Sequence, residues 1–179
     1  GALWVVDMYR YMIEHPAWLL AGGKAEMKPF ERSGMEHGRI YRVYKDGKPP
    51  RRIPRLDKSS AQELVEHLAD SNGIIRDMAH RLLVQRKDVS AANPLIEMAG
   101  THASAKARLH ALCVLDGLDR LSAPLLKSAF RDPHPAIRRH ALRLAESRWN
   151  GDPELLKESV RLADDPNAAV RLQAACSWG

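Results

Sequence analysis

The chain has 179 residues, of which 45% are hydrophobic and 28% charged, a balance that excludes an intrinsically disordered protein and suits one or two folded units. No apolar run approaches the roughly 20 residues of a membrane-spanning helix. The net charge of +6 permits attraction to nucleic acid or anionic surfaces but does not by itself indicate either partner.

The first 45 residues include two segments rich in residues that favour β-strands. Residues 3–9 and 39–44 combine β-branched and aromatic side chains with partly alternating polarity, which predicts two strands. Between them, residues 9–20 are compatible with a short helix or an irregular loop, and residues 21–37 are predicted to be an exposed insertion. Residues 46–57 contain Pro49, Pro50 and Pro54 among basic residues, so this segment is predicted to be a linker.

The rest of the chain is a repeat array. An apolar residue, an arginine, two variable residues and an alanine recur four times, and the arginines are 30 to 33 residues apart. Self-similarity at this period predicts stacked helical hairpins. We therefore expect a mainly α protein, an α-solenoid of about four hairpins in residues 58–88, 89–120, 121–150 and 151–179.

Helix boundaries follow from capping and proline signals. Ser60 and Glu63 form a capping box before an apolar run. Pro94, Pro124 and Pro153 precede leucine-rich stretches and are predicted to occupy the first position of a helix, where a proline costs no intrahelical hydrogen bond. The recurring Asp-Pro dipeptides at residues 132–133 and 165–166 are typical of tight turns inside a hairpin.

The repeat arginines point towards the hairpin turns, where aspartates also recur. An Asp–Arg ladder would pair these charges and satisfy turn amides, within or between repeats. We favour this structural role over a row of ligand-binding arginines. The predicted ladder residues are Arg76, Arg108, Arg138, Arg171, Asp70, Asp132 and Asp165.

Other side chains in the repeats carry weaker signals. His110 and His140 occupy equivalent positions, but no third ligand is spaced to complete a metal site, so no metal is predicted. Cys113 and Cys176 lie on apolar stripes and are predicted to be buried free thiols. A basic flank with an aromatic tip is a candidate binding surface for nucleic acid, although a solvated helix face is favoured. It comprises Arg139, Arg143, Arg148 and Trp149.

The N-terminal segment holds one dense polar cluster, formed by Asp7, Tyr9, Arg10 and His15. Strand alternation would place Asp7 and Tyr9 on one face, where they could act as acid/base or substrate-positioning groups. Structural hydrogen bonding is the favoured alternative.

These residues resemble a known protein family. The segments GALWVVDMYR at residues 1–10, IEHP at 13–16 and GRIYRV at 38–43 are similar to the closing β-propeller blade of membrane-bound dehydrogenases of planctomycetes and verrucomicrobia, also described as PVC-type haem-binding proteins. In that family a sugar-dehydrogenase-like propeller leads into HEAT-type repeats and then a c-type cytochrome module. The resemblance implies that residues 1–45 end a propeller blade and that residues 58–179 are the HEAT part.

The resemblance also sets the functional expectations. It implies an exported, periplasmic or otherwise extracytoplasmic protein with c-type haem and a quinone cofactor, although this chain has neither a signal sequence nor the CxxCH motif that attaches haem. The leading hypothesis is a non-catalytic HEAT scaffold that contacts other domains of the same polypeptide and a protein partner. The alternatives are a basic nucleic-acid-binding module and a fragment of a quinoprotein-like sugar dehydrogenase site.

Overall fold

The computed structural model describes residues 2–11 and 16–179, which fall into two units, Gly1–Pro54 and Arg55–Gly179. The first unit contains an antiparallel pair of strands, β1 (Leu3–Asp7) and β2 (Arg39–Val43), with Val5 opposite Tyr41. The two predicted strands are therefore confirmed. The segment predicted as an exposed insertion contains a short helix, α1 (Ala21–Met27), with no buried residue.

The N-terminal unit has almost no interior. Among residues 2–11 and 17–54, whose burial the structure describes, none is buried. Val6 and Ile40, which face each other across the sheet, are 72% and 67% exposed. A two-stranded sheet is marginally stable at best without a packed face, so the apolar side chains of this unit lack the burial that normally stabilises such strands.

The second unit is a succession of helical hairpins, as the repeat predicts. Each hairpin has a shorter first helix and a second helix that carries the repeat arginine. The pairs are α2 (Ala61–His67) with α3 (Gly73–Arg86), α4 (Ala92–Thr101) with α5 (Ala105–Gly117), α6 (Ala123–Ala129) with α7 (Pro135–Ala145), and α8 (Pro153–Val160) with α9 (Ala168–Trp178).

Local sequence explains where these helices begin. Ser60 and Glu63 form the expected capping box at α2, and Asn72 and Asn167 cap α3 and α9 through their side-chain oxygens. Pro153 occupies the first position of α8. The helix that contains Pro94 begins two residues earlier than that proline, at Ala92, because a 3-10 turn capped by Asp88 leads into it. A proline within the first turn still sacrifices no intrahelical hydrogen bond.

The hairpins stack in two rows. The second helices pack in the order α3, α5, α7, α9, and the first helices pack in the order α2, α4, α6, α8. One continuous apolar core runs through all four hairpins. The repeat alanines Ala79, Ala111, Ala141 and Ala174 are 0 to 1% exposed, so their small side chains lie where neighbouring helices approach most closely. This arrangement is typical of an α-solenoid.

The prediction that both cysteines are buried free thiols is only partly correct. Cys113 is half-buried in α5, whereas Cys176 is exposed near the end of α9, so the prediction of two buried thiols is wrong for Cys176. The apolar stripe around Cys176 has the right helical spacing, but its outer edge faces solvent. Both thiols are free.

Candidate functional site

Each repeat arginine is anchored to the turn of its own hairpin. In every hairpin, Nη1 of the arginine donates to the backbone carbonyls six and five residues earlier, at 2.7 to 3.2 Å. These bonds satisfy carbonyls that the hairpin turn leaves outside the helix. The arginines are Arg76, Arg108, Arg138 and Arg171.

Two of these arginines also join consecutive hairpins. Arg108 donates from Nε and Nη2 to the carboxylate of Asp132, both at 2.7 Å, and Arg138 donates in the same way to Asp165 at 2.6 and 2.8 Å. Each carboxylate belongs to the following hairpin. Paired, coplanar donors of this kind form the strong bidentate geometry that suits a guanidinium and a carboxylate.

The paired aspartates have a second function in their own turns. Asp132 Oδ1 accepts from the amide of His134, and Asp165 Oδ1 accepts from the amide of Asn167. The side chain of Asp165 is only 3% exposed. The hydrogen bonds from Arg138 hold the pKa of this carboxyl below its usual value, so the pair is charged at neutral pH. Asp70 caps its turn in the same way, through the amide of Asn72.

A pair of histidines bridges the first two hairpins. His80 Nδ1 lies 3.2 Å from His110 Nδ1, and Asp77 Oδ1 lies 3.8 Å from His110 Nε2. Burial is the main cause that lowers the pKa of both imidazoles. Sequence reasoning paired His110 with His140 and missed His80, although the 30-residue separation of His80 and His110 matches the repeat period.

His140 lies in a different environment. Its Nε2 is 3.2 Å from Arg139 Nη2, while its buried Nδ1 has no partner among the residues that the structure describes. Burial and the neighbouring arginines, Arg139 and Arg143, lower its pKa. In the described ranges, 2–11 and 16–179, no three His, Cys, Asp or Glu side chains cluster as a metal site would require.

The predicted basic flank does not act as one open surface. Arg148 donates to Asp116 Oδ1 and to the carbonyl of Leu144, both at 2.6 Å, so its charge is paired within the stack. Trp149 packs against the hydrophobic core. Arg143 lies near the Cys113 thiol, where it offsets part of the rise in pKa that burial causes.

The N-terminal polar cluster is held together by local contacts. Asp7 Oδ1 accepts from the amide of Tyr9 at 2.9 Å, and Asp7 Oδ2 lies 3.4 Å from Arg39 Nη2. Tyr9 has a positive φ of 50° and lies beyond the end of β1, so strand alternation does not set its direction. His15 lies outside the described residues.

The ring of Tyr9 belongs to an aromatic and cationic cluster that sequence reasoning did not identify. The guanidinium of Arg39 lies 4.2 Å from the ring centroid, and the imidazole of His37 packs edge-on at 5.5 Å. Gly34, with φ of 79°, is required here because a Cβ would lie 1.8 Å from the carbonyl oxygen of Tyr9. These contacts join β1 and β2 to the segment between them.

A surface cavity of about 470 Å³ lies beside this cluster. Its lining includes Tyr9, Arg10, Tyr11 and His37. Arg10 Nη2 donates to the carbonyl of Glu31, whereas its buried Nε has no partner among the described side chains and backbone. The cavity therefore has aromatic walls, and one of its lining residues, Arg10, carries a buried donor without a partner.

Comparison with known proteins identifies one segment. Residues 1–47 match the model of a domain of unknown function, DUF7133, and this match falls within the unit Gly1–Pro54. No curated protein matches the chain significantly. In the part of the chain that the structure describes, no helix has the length and apolar character to cross a bilayer.

Proposed function

We propose that this chain is a non-catalytic scaffold in which HEAT-type hairpins hold neighbouring protein modules at a defined spacing. The ladder carries this proposal. Arg108 and Arg138 use all three guanidinium nitrogens on their own turn and on the next hairpin, so these groups fix hairpin geometry instead of facing a substrate. Stacks of this kind present extended surfaces on which partners bind.

The N-terminal unit supports a connection to further β-structure. Its strands expose apolar side chains on both faces, with Val6 and Ile40 on one face at 72% and 67%, and Leu3 and Val43 on the other at 66% and 53%. Apolar exposure on this scale marks a surface that other protein covers. This is the property expected of the end of a propeller blade in an exported, haem-associated dehydrogenase, whose c-type haem and quinone would belong to other domains of the polypeptide.

Deletion and ladder variants of the complete natural polypeptide test the scaffold. We expect removal of residues 55–179 to lower the yield of the assembled complex and slow electron transfer between its redox modules. The double variant Asp132→Asn with Asp165→Asn should reduce both in part, because it loosens hairpin spacing while it retains the helices. Glu158→Gln, which alters the exposed pair with Arg131, is the matched control. Unchanged assembly and electron transfer after the deletion would contradict the proposal.

The cavity beside Tyr9 favours one second candidate, a contribution to a dehydrogenase site. Tyr9, Arg10 and His37 line that cavity, and Asp7 positions the backbone of Tyr9 through its amide. Under this candidate, Asp7→Asn in the intact protein would lower substrate turnover without changing cofactor content. Full turnover in that variant would remove the candidate.

The basic flank gives no comparable support to nucleic-acid binding. Arg148 is paired with Asp116, and Trp149 packs on the core. Of the four residues of the basic flank, Arg139 and Arg143 therefore remain to contact phosphates. Sequence-independent duplex binding normally needs several phosphate contacts, each of which steepens the salt dependence. The nucleic-acid alternative is therefore the weakest of the three.

A further inference from the structure

The first arginine of the ladder, Arg76, differs from Arg108 and Arg138 in one respect. Its Nη1 donates to the carbonyls of Asp70 and Ser71, as in the other hairpins. Its Nε is buried and has no hydrogen-bond partner within residues 2–11 and 16–179. Arg108 and Arg138 use that nitrogen, together with Nη2, to bind a carboxylate of the next hairpin.

A single residue explains the difference. The carboxylates of Asp132 and Asp165 come six residues before the repeat arginine of their own hairpin, and in the second hairpin this position holds His102. His102 Nδ1 accepts from the amide of Ser104 at 3.0 Å, so the histidine replaces the aspartate as a turn cap. A neutral imidazole that accepts at Nδ1 carries its proton on Nε2, so it cannot also accept from Arg76.

Arg76 also lines a surface pocket of about 420 Å³. Lys106, Ser104 and His134 contribute to the lining, and His134 Nδ1 accepts from the amide of Ala136, which leaves its Nε2–H as a donor. Asp70 also lines the pocket, with Oδ1 bound to the amide of Asn72. Cationic and neutral donors thus outnumber the acid at this site.

We propose that Nε and Nη2 of Arg76 bind the carboxylate of an external ligand, in the place that Asp132 and Asp165 occupy for the later arginines. The same geometry occurs twice within the chain, where Arg108 binds Asp132 and Arg138 binds Asp165 at N–O distances of 2.6 to 2.8 Å. A planar fork of two N–H groups can bind both oxygens of a carboxylate at once, which is the arrangement that Arg108 and Arg138 already form within the chain. The site is independent of whether the stack serves as a scaffold.

The carboxylate comes either from a free small acid or from an acidic side chain of a bound peptide. Both present the same planar group, and the pocket admits more than that group alone. Titration with succinate and with a short Asp-Glu peptide blocked at both termini distinguishes the two sources. The probe that binds more tightly identifies the source.

Arginine Nε–H signals in nuclear magnetic resonance spectra of the isotopically labelled full chain provide the readout. Under titration with succinate at constant ionic strength, the Arg76 signal should move and saturate, whereas the signals of Arg108 and Arg138, which already hold carboxylates, should stay in place. An Arg76 signal that does not move with either probe would overturn the proposal. Equal or tighter binding of sulfate would overturn the assignment to carboxylates.

Substitution of His102 offers a matched pair of variants. His102→Asp supplies an internal carboxylate, so we expect at least a tenfold loss of succinate affinity together with a higher urea midpoint. His102→Asn keeps an acceptor for the Ser104 amide but adds no charge, and it should retain binding. Arg81→Gln, which changes an exposed arginine of the same helix, is the control for charge. Undiminished binding in a folded His102→Asp variant would contradict the proposal; if that variant does not fold, retained binding in Arg76→Gln would do so.

Discussion

Substitution of Asp165, the partner of Arg138, tests how much a single ladder contact stabilises the stack. Asp165→Asn keeps an oxygen for the Asn167 amide but leaves Arg138, whose side chain is only 13% exposed, without its counter-charge. We expect a loss of about 3–5 kcal/mol in the free energy of unfolding, as for other broken buried pairs. Urea denaturation followed by circular dichroism measures it.

The exposed pair between Arg131 and Glu158 is the control for that prediction. It also joins the third and fourth hairpins, at 2.7 Å, but Arg131 is 58% exposed. Glu158→Gln should therefore cost no more than about 1 kcal/mol. Equal losses from Asp165→Asn and Glu158→Gln would show that burial does not distinguish the two pairs.

His80 and His110 make stability depend on pH. Burial lowers the pKa of both imidazoles in the folded state. As the pH falls through about 6.5, the ordinary pKa of histidine, the unfolded chain therefore binds protons before the folded chain does. The free energy of unfolding should thus decrease from pH 7 to pH 5, above the range in which most carboxyls titrate. Replacing His80 with Gln should make this decrease smaller.

Helical ellipticity during urea unfolding at each pH is the appropriate measurement for the histidine pair. His37→Gln serves as the control because the imidazole of His37 packs on Tyr9 of its own unit, Gly1–Pro54. An unchanged pH slope in His80→Gln would mean that other groups dominate the dependence.

At the level of the helix, Gly→Ala substitutions at two glycines distinguish the effect of packing from the effect of backbone conformational entropy. A Cβ on Gly117 of α5 would lie 2.9 Å from Cγ2 of Val84 in α3, whereas a Cβ on Gly100 of α4 would meet no atom within 4 Å. Gly100→Ala should stabilise the chain by about 0.4–1 kcal/mol because it restricts the unfolded state. Gly117→Ala should destabilise it by about 1–3 kcal/mol through overpacking.

The double variant Gly117→Ala with Val84→Ala identifies the cause of the second effect. Removing the two Val84 methyl groups relieves the contact, so the added alanine should cost less in that background than in the natural chain. Thermal unfolding of the natural chain, the two single variants and the double variant gives the coupling free energy. A coupling of zero would place the cost elsewhere than at this helix contact.

Element positions were largely predictable from sequence because each depends on local chemistry. The Ser60 capping box, the alanine of each repeat and the strand near Ile40 all follow from short patterns. The partners of the site residues were less predictable. Arg148 meets Asp116, and His80 meets His110, across about 30 residues, so these contacts depend on the angle and register between stacked helices.

At the scale of the whole molecule, the two units should differ sharply in stability. Residues 55–179 contain the continuous core, whereas none of residues 2–11 and 17–54 is buried. The segment 55–179, produced alone, should unfold cooperatively with a midpoint within about 4 °C of the same transition in the full chain, which corresponds to roughly 1 kcal/mol. Residues 1–54 alone should show no cooperative transition, since they gain little from apolar burial.

A shorter segment, residues 55–150, tests whether the stack is stabilised by contacts between neighbouring hairpins. This segment lacks α8 and α9, and with them Asp165, the partner of Arg138. The face of α7 that packs on α9 is then exposed. In a nearest-neighbour array each lost interface lowers stability, so the midpoint of this segment should fall well below that of 55–179. An unchanged midpoint would mean that contacts with the fourth hairpin do not stabilise the other three, contrary to the nearest-neighbour expectation.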